Sequence, residues 1–300
     1  MSGANQTRVD SVLPSITGLP HMPVTRFVCD ETTVPADYTF AINGLKANTY
    51  IMAELLDSYY LNWGPFKNPA GQPNGAGTKA YGDRAKAFVQ LHGGKVDLWE
   101  IGNEVNGNWT GPYADVGAKI GVAYDAVHGQ GKKSALTLWY NDNCGNGPGE
   151  LSPEAFTTAH VPARVRGTAG SSTVPGVDYV FVSFYETECT GGRPNVATWK
   201  TFFQSLHALY PNAKLGFGEI GLPFDIDKWN SNTSNNTPGE GFTAAKSIAD
   251  FYYKLGPLMN LSYYVGGYFY WYFQEDCVPK TKTFPPSNLS MWNVLHADMI

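Results

Sequence analysis

Charge is scarce in this chain. Asp, Glu, Lys and Arg make up 16% of its 300 residues, against about 25% in an average soluble domain. The 21 basic residues form no stripe and the formal net charge is −5. The clustered Lys and Arg that phosphate backbones require are missing, so no nucleic-acid partner is expected. Long apolar runs are missing as well. The nearest, residues 261–273, is rich in Tyr and falls short of the about 18 residues of a membrane span, so no membrane partner is expected. The opening MSGANQTRVD has no apolar signal core. Export is then either absent or directed by a signal that has been removed. The four cysteines (Cys29, Cys144, Cys189, Cys277) show no CxxC spacing, and the six histidines show no HxH or HExxH pattern. A zinc site is not expected. No GxSxG elbow occurs, and GKKS at residues 131–134 lacks the phosphate-loop pattern. We expect no cofactor and no metal.

What remains is apolar and aromatic, at 43% and 14%, enough for a sizeable core. The length suits two average domains or one (β/α)₈ barrel of about 250 residues. No linker and no repeat of 20–50 residues interrupts it, so residues 1–300 read as a single domain. Apolar strand-like runs occur at residues 25–29, 49–55, 96–102, 134–140, 178–185, 214–220 and 267–273. Segments with helical spacing at residues 37–47, 81–91, 116–128, 198–210 and 243–255 lie between them. Alternation of this kind predicts an α/β fold with a parallel sheet, a TIM barrel. Continuously apolar strands fit a sheet covered by helices. Seven strands are clear. An eighth would lie before Thr25, in a stretch broken by Pro14, Pro20 and Pro23, which leaves the first barrel strand short, irregular or missing.

Connections after strands are long (residues 62–80, 141–153, 186–196, 222–241 and 274–288). Those from helix back to strand are mostly short. That asymmetry predicts an elaborated C-terminal face, where barrel active sites sit. Trp63, Phe66, Trp109 and Trp229 lie in or beside the long loops and are expected to line a cleft.

Two glutamates end apolar runs. Glu104 closes WEIGNE and Glu219 closes LGFGE, 115 residues later, room for three βα units. They would then end the fourth and seventh strands, which face each other across an eight-stranded barrel. Paired carboxylates across a pocket suit glycosidic cleavage, one protonating the leaving oxygen and the other handling the oxocarbenium-like carbon. Glu100, four residues before Glu104 on the same face, reads as an interior partner of Arg26. Glu186, Glu188, Glu275 and Asp276 read as loop charges or peripheral contacts.

WEIGNE followed by GFGEIG resembles the two catalytic strands of clan A glycoside hydrolases, the retaining (β/α)₈-barrel β-glycosidases. The resemblance covers residues 25–275. It implies Glu104 as acid/base, Glu219 as nucleophile and Asn103 on the sugar 2-hydroxyl. It also implies Arg26 beside the nucleophile, Tyr185 bonding the nucleophile and Trp271 flooring the −1 sugar site. The expected activity is double-displacement cleavage of a β-glycan such as glucan, mannan or xylan, with endo action favoured by the aromatic loops. The expected partner is an oligo- or polysaccharide, the expected state a monomer and the expected setting extracellular. The other reading is a carbohydrate-binding barrel without catalysis. Cys144, Cys189 and Cys277 fall near the same loops, and a disulfide of Cys189 with Cys144 or with Cys277 is one outcome; buried free thiols are the other.

Overall fold

The computed structural model describes residues 2–142, 144, 147, 149–231, 239–285 and 287–300. Most of the Asn-rich stretch at 230–241, read above as a loop, lies outside the described residues.

Six strands, β1 (Val24–Val28), β2 (Tyr50–Glu54), β3 (Leu98–Glu100), β4 (Ser134–Trp139), β5 (Tyr179–Phe184) and β6 (Lys214–Ile220), form one sheet. They pair in chain order and all pairs are parallel. Parallel neighbours need a crossover. Helices α2 (Thr39–Leu45), α3 (Ala76–His92) and α4 (Tyr113–His128) supply the first three, and Val196–Leu209 joins β5 to β6. Ala85, Phe88 and Val89 of α3, and Val116, Ile120, Ala123 and Val127 of α4, are buried at 3–4 spacing. These stripes are what seats the helices on the sheet.

The sheet is strongly curled. Five pairings separate β1 from β6, which in a flat sheet would put them about 24 Å apart, yet the Arg26 and Glu219 side chains meet at 2.5 Å. The concave side is layered by the two-residue period of the strands. Met52, Leu98, Ala135 and Phe181 form an apolar layer. Two residues further along the same strands come Glu54, Glu100, Thr137 and Ser183, all fully buried. A polar layer therefore sits on an apolar floor at the C-terminal end of the strands.

One open expectation is settled here and a second one changes. The described residues before Val24 hold no strand but a helix, α1 (Ser2–Thr17), with Pro14 inside it. Val9 and Ile16 of this helix pack with Leu45. The run at 267–273 is also not a regular strand. It docks on β6 through isolated parallel bridges, Leu215 to Tyr264 and Ile220 to Tyr270. Gly266 and Gly267 between them take left-handed backbone angles, φ 81° and 67°, which interrupt the ladder. Gly216 makes the docking possible, because a Cβ there would lie 2.2 Å from the Gly266 carbonyl oxygen. A seam stays open between β1 and this segment. It borders a largely apolar cavity of about 740 Å³ that α1 also lines.

Candidate active site

β3 ends at Glu100, and the chain turns through Gly102 and Asn103 to Glu104 while still bonded to β4. Thr137 N donates to the Gly102 carbonyl at 2.9 Å and Val105 N to the Thr137 carbonyl at 3.3 Å. Glu104 itself has φ 44°, a left-handed conformation that costs a non-glycine residue free energy and persists where the surroundings impose it. The turn aims the Glu104 carboxyl over the mouth of the curled sheet.

Glu219 reaches the same mouth from β6 by a different device. Val182 of β5 pairs with Phe217, but Ser183 pairs with Glu219, so Gly218 is an extra residue in the ladder. This bulge re-aims the strand. Gly218 suits it, since a Cβ there would meet Phe181 Cβ at 2.9 Å and Thr137 at 3.1 Å.

The Glu219 carboxylate is held on both oxygens. Arg26 Nη1 donates to Oε1 at 2.5 Å and Asn103 Nδ2 to Oε1 at 3.0 Å. Tyr185 Oη donates to Oε2 at 2.9 Å. Arg26 spends its other nitrogens on Glu100, Nε to Oε2 at 2.6 Å and Nη2 to Oε1 at 2.9 Å. Nη2 also lies 2.9 Å from Glu54 Oε2, although the Glu54 carboxyl accepts no hydrogen bond. Its guanidinium carbon stands 5.3 Å from the centre of the Trp271 ring.

One guanidinium thus faces three buried carboxyls, with Glu104 nearby. Low-dielectric surroundings resist that excess of negative charge, and proton uptake relieves it. Burial pushes Glu54 and Glu100 upward, opposed by Arg26. Glu104 is pushed up to about 8, first by burial and then by the charge of Glu219. Burial and the Glu219 charge also raise the Tyr185 phenol, keeping it a donor.

A cavity of about 320 Å³ opens at this point, lined by Asp57, Ser58, Tyr59, Asn103, Glu104, Trp109, Tyr185, Glu219 and Trp271. The buried Asn103 Oδ1 has no hydrogen-bond partner in the structure. Five of the six residues singled out from sequence line the cavity, and Arg26 stands directly behind them. Of the four loop aromatics expected in a cleft, Trp109 lines the cavity and Trp63 is 50% exposed, whereas Phe66 and Trp229 are buried in the core. Loop position did not reveal which way those rings turn. Asp276, read as a loop charge or peripheral contact, is buried; it accepts from the Tyr270 hydroxyl at 2.6 Å and the Ile226 amide at 3.0 Å.

Sequence reasoning missed Asp57, Ser58, Tyr59, Ser183 and Glu54. The first three follow β2 directly, on the loop end where sites form. The buried Lys119 anchors this loop, Nζ donating to the Leu61 carbonyl at 2.6 Å. Ser58 Oγ accepts from Trp109 Nε1 at 3.0 Å and lies 3.5 Å from Glu104 Oε2. Ser183 lies two residues before Tyr185 and therefore on the same face, which was the available signal.

A disulfide joins Cys144 to Cys189, tying the loops after β4 and β5; Cys29 and Cys277 are buried free thiols. Among the described residues, no three His, Cys, Asp or Glu side chains are grouped to hold a metal ion. No described helix is long and apolar enough to cross a membrane.

No family model and no curated protein matches the chain. Solved structures do. The chain is similar to a GH5-4 broad specificity endoglucanase from an uncultured bacterium, with TM-score 0.57 and 11% identity over 98% of this chain and 84% of that one. It is similar to a family 5 xyloglucanase from Paenibacillus pabuli, with TM-score 0.54 and 12% identity over 98% and 90%. A β-D-glucuronidase for Dictyoglomus thermophilum gives TM-score 0.52 and 12% identity over 90% of this chain. The chain spans less than two thirds of several relatives, 40% of that glucuronidase and 62% of Fpglu1 from fervidobacterium pennivoraus. The likeness is one of fold: a curled parallel α/β sheet with helical crossovers.

Proposed function

We propose that the chain is a retaining β-glycosidase acting by double displacement on a β-glycan. The observation that carries this reading is the convergence of Glu104 and Glu219 on one cavity in unlike surroundings. Glu219 is fixed by a guanidinium, an amide and a phenol, whereas Glu104 has its proton affinity raised to about 8. A carboxyl that holds its proton, set beside a carboxylate fixed by three donors, suits a division into acid and nucleophile. Ser183 Oγ lies 2.5 Å from Glu104 Oε1 and 3.4 Å from Glu219 Oε2. One hydroxyl within hydrogen-bond reach of both carboxyls supports a closely spaced pair of the retaining kind.

Glu219 attacks the anomeric carbon while Glu104 protonates the departing oxygen. In the ester that results, Glu219 carries no charge, so one cause of the raised Glu104 affinity is gone. Glu104 then takes a proton from the water that releases the sugar. Asn103 Oδ1, free of partners, accepts from the sugar 2-hydroxyl, and Trp271 floors the ring. Exposed Tyr59 on the cavity lining, with exposed Trp63 four residues further along the same loop, supports an extended, endo-type binding surface for glucan, mannan or xylan. The disulfide supports an oxidising, extracellular setting.

Azide tests the assignment. Glu219→Ala should abolish turnover of every glycoside, because no covalent intermediate forms. Glu104→Ala should still be glycosylated by a dinitrophenyl glycoside, and azide should release a β-glycosyl azide. Azide with Glu219→Ala should give the α-product. Swapped configurations in proton NMR reverse the two roles. A wild-type chain that binds oligosaccharide but releases no reducing ends is a binding barrel instead.

A further inference from the structure

Ser183 is fully buried on a strand otherwise made of Tyr, Val and Phe. A hydroxyl in such a place needs a partner. Its hydrogen-bond partners in the structure are both carboxylates of the cavity: Glu104 Oε1 at 2.5 Å and Glu219 Oε2 at 3.4 Å. A serine has one proton to donate. Glu219 Oε2 already accepts from Tyr185 at the shorter 2.9 Å. The geometry therefore gives the Ser183 proton to Glu104 Oε1. The other oxygen, Oε2, lies toward Ser58, which lines the cavity, while Ser183 does not.

We propose that Ser183 is a positioning residue that assigns the two oxygens of Glu104, occupying Oε1 and leaving Oε2 as the one that carries the transferred proton. The inference rests on the glycosidase reading for its consequence, but the hydrogen bond can be tested apart from it. In the acid form of Glu104, Oε1 is the carbonyl oxygen that accepts from Ser183, so the proton sits on Oε2 facing the cavity. In the base form the same bond persists, and Oε2, held only by the long 3.5 Å contact from Ser58 Oγ, takes the proton of water. One hydroxyl thus serves both halves of the cycle without changing partner. Because it donates to the ionised form more strongly than to the neutral one, it also favours the base.

The test titrates Glu104 directly, by the carbon-13 shift of glutamate side-chain carboxyls, with the Glu104 signal assigned by its loss in Glu104→Gln. Ser183→Ala should raise the Glu104 midpoint by about one pH unit, and Ser183→Thr, which keeps the hydroxyl, should return it toward wild type. Where the chain hydrolyses an aryl β-glycoside, the basic limb of kcat/KM should move with the midpoint. The deglycosylation rate, read with a dinitrophenyl leaving group, should fall about tenfold in Ser183→Ala. An unchanged midpoint in a folded Ser183→Ala overturns the proposal, as does Ser183→Thr behaving like Ser183→Ala. Should wild type cleave no glycoside, the glycosidase reading fails, while the titration still decides whether Ser183 holds Glu104.

Discussion

Arg26 reaches Glu219 across the mouth of the sheet with one nitrogen and Glu100 with the other two. The first strand is thereby tied to the last and to the middle one. The guanidinium is also the cation nearest to Glu54, Glu100 and Glu219 in a buried cluster. Its planar fork suits this division of labour, which the single point charge of a lysine does not reproduce.

Arg26→Met should therefore destabilise more than a loss of packing. Removing one partner of a buried ion pair costs about 3–5 kcal/mol, because the other charges stay behind. Urea unfolding at neutral pH should show a loss of that order. The deficit should shrink in acid, where the stranded carboxyls hold protons. Addition of Glu100→Gln should recover part of it at neutral pH. A deficit that is constant with pH would mean that Arg26 acts through packing alone.

Glu104 makes a second pH-dependent prediction, of opposite sense. Its proton affinity is raised from 4.5 in the unfolded reference to about 8 in the folded protein. The folded chain then holds a proton that the unfolded chain releases. Stability contributed by Glu104 is whole below about 4.5 and declines as pH rises toward 8. Glu104→Gln removes that decline. Thermal melts should show the variant gaining on wild type between these values and keeping a constant lead above them, at the loss of activity on natural substrates. A lead that is the same at pH 4 and pH 9 would show that Glu104 is an ordinary carboxyl.

The sheet and its C-terminal rim were legible because buried parallel strands are written as uninterrupted apolar runs. Glu104 and Glu219 stand where those runs stop. Helix α1 was legible in principle: Val9, Val12, Leu13 and Ile16 fall at helical spacing, but Pro14 reads as a breaker. The segment at 267–273 is as apolar as any strand, and what breaks its ladder is the left-handed backbone at Gly266 and Gly267, which composition does not encode. Phe66 and Trp229 show the limit for side chains. A loop aromatic can cover a site or plug the core, and only the packing decides. In the polar layer, Glu100 was legible as an interior partner of Arg26, which it is, whereas Glu54, Thr137 and Ser183 stayed hidden among the apolar residues of their strands.

Gly216 connects backbone to site. A methyl group there would press on the Gly266 carbonyl, a backbone atom that a rotamer change does not move. Gly216→Ala should weaken the docking of residues 264–270 on β6 and displace Trp271, which follows them. We expect a stability loss of about 1–3 kcal/mol and a larger proportional loss of activity than that loss alone explains. Hydrogen exchange at the amides of Val265 and Trp271, which donate to Leu215 and Ile220, reads the docking directly. Exchange unchanged from wild type would remove the link between Gly216 and Trp271.

Trp271 carries the last prediction. Its ring lines the cavity beside Glu104 and Glu219, and its back is approached by the Arg26 guanidinium at 5.3 Å. A flat indole offered to a sugar ring supplies contact that tightens as the ring flattens toward the oxocarbenium-like state, so the binding is expressed in turnover. Trp271→Ala should lower kcat/KM on an oligosaccharide by on the order of 10- to 100-fold. The residue is only half-buried, so the cost in folding should stay near about 1 kcal/mol. Trp271→Phe, which keeps a flat but smaller face, should fall between the two in activity and match wild type in stability. The measurement is turnover per folded molecule, with the folded fraction taken from urea unfolding of each variant. If Trp271→Ala unfolds readily while the molecules that stay folded turn over normally, the indole packs against Arg26 and does not meet the sugar.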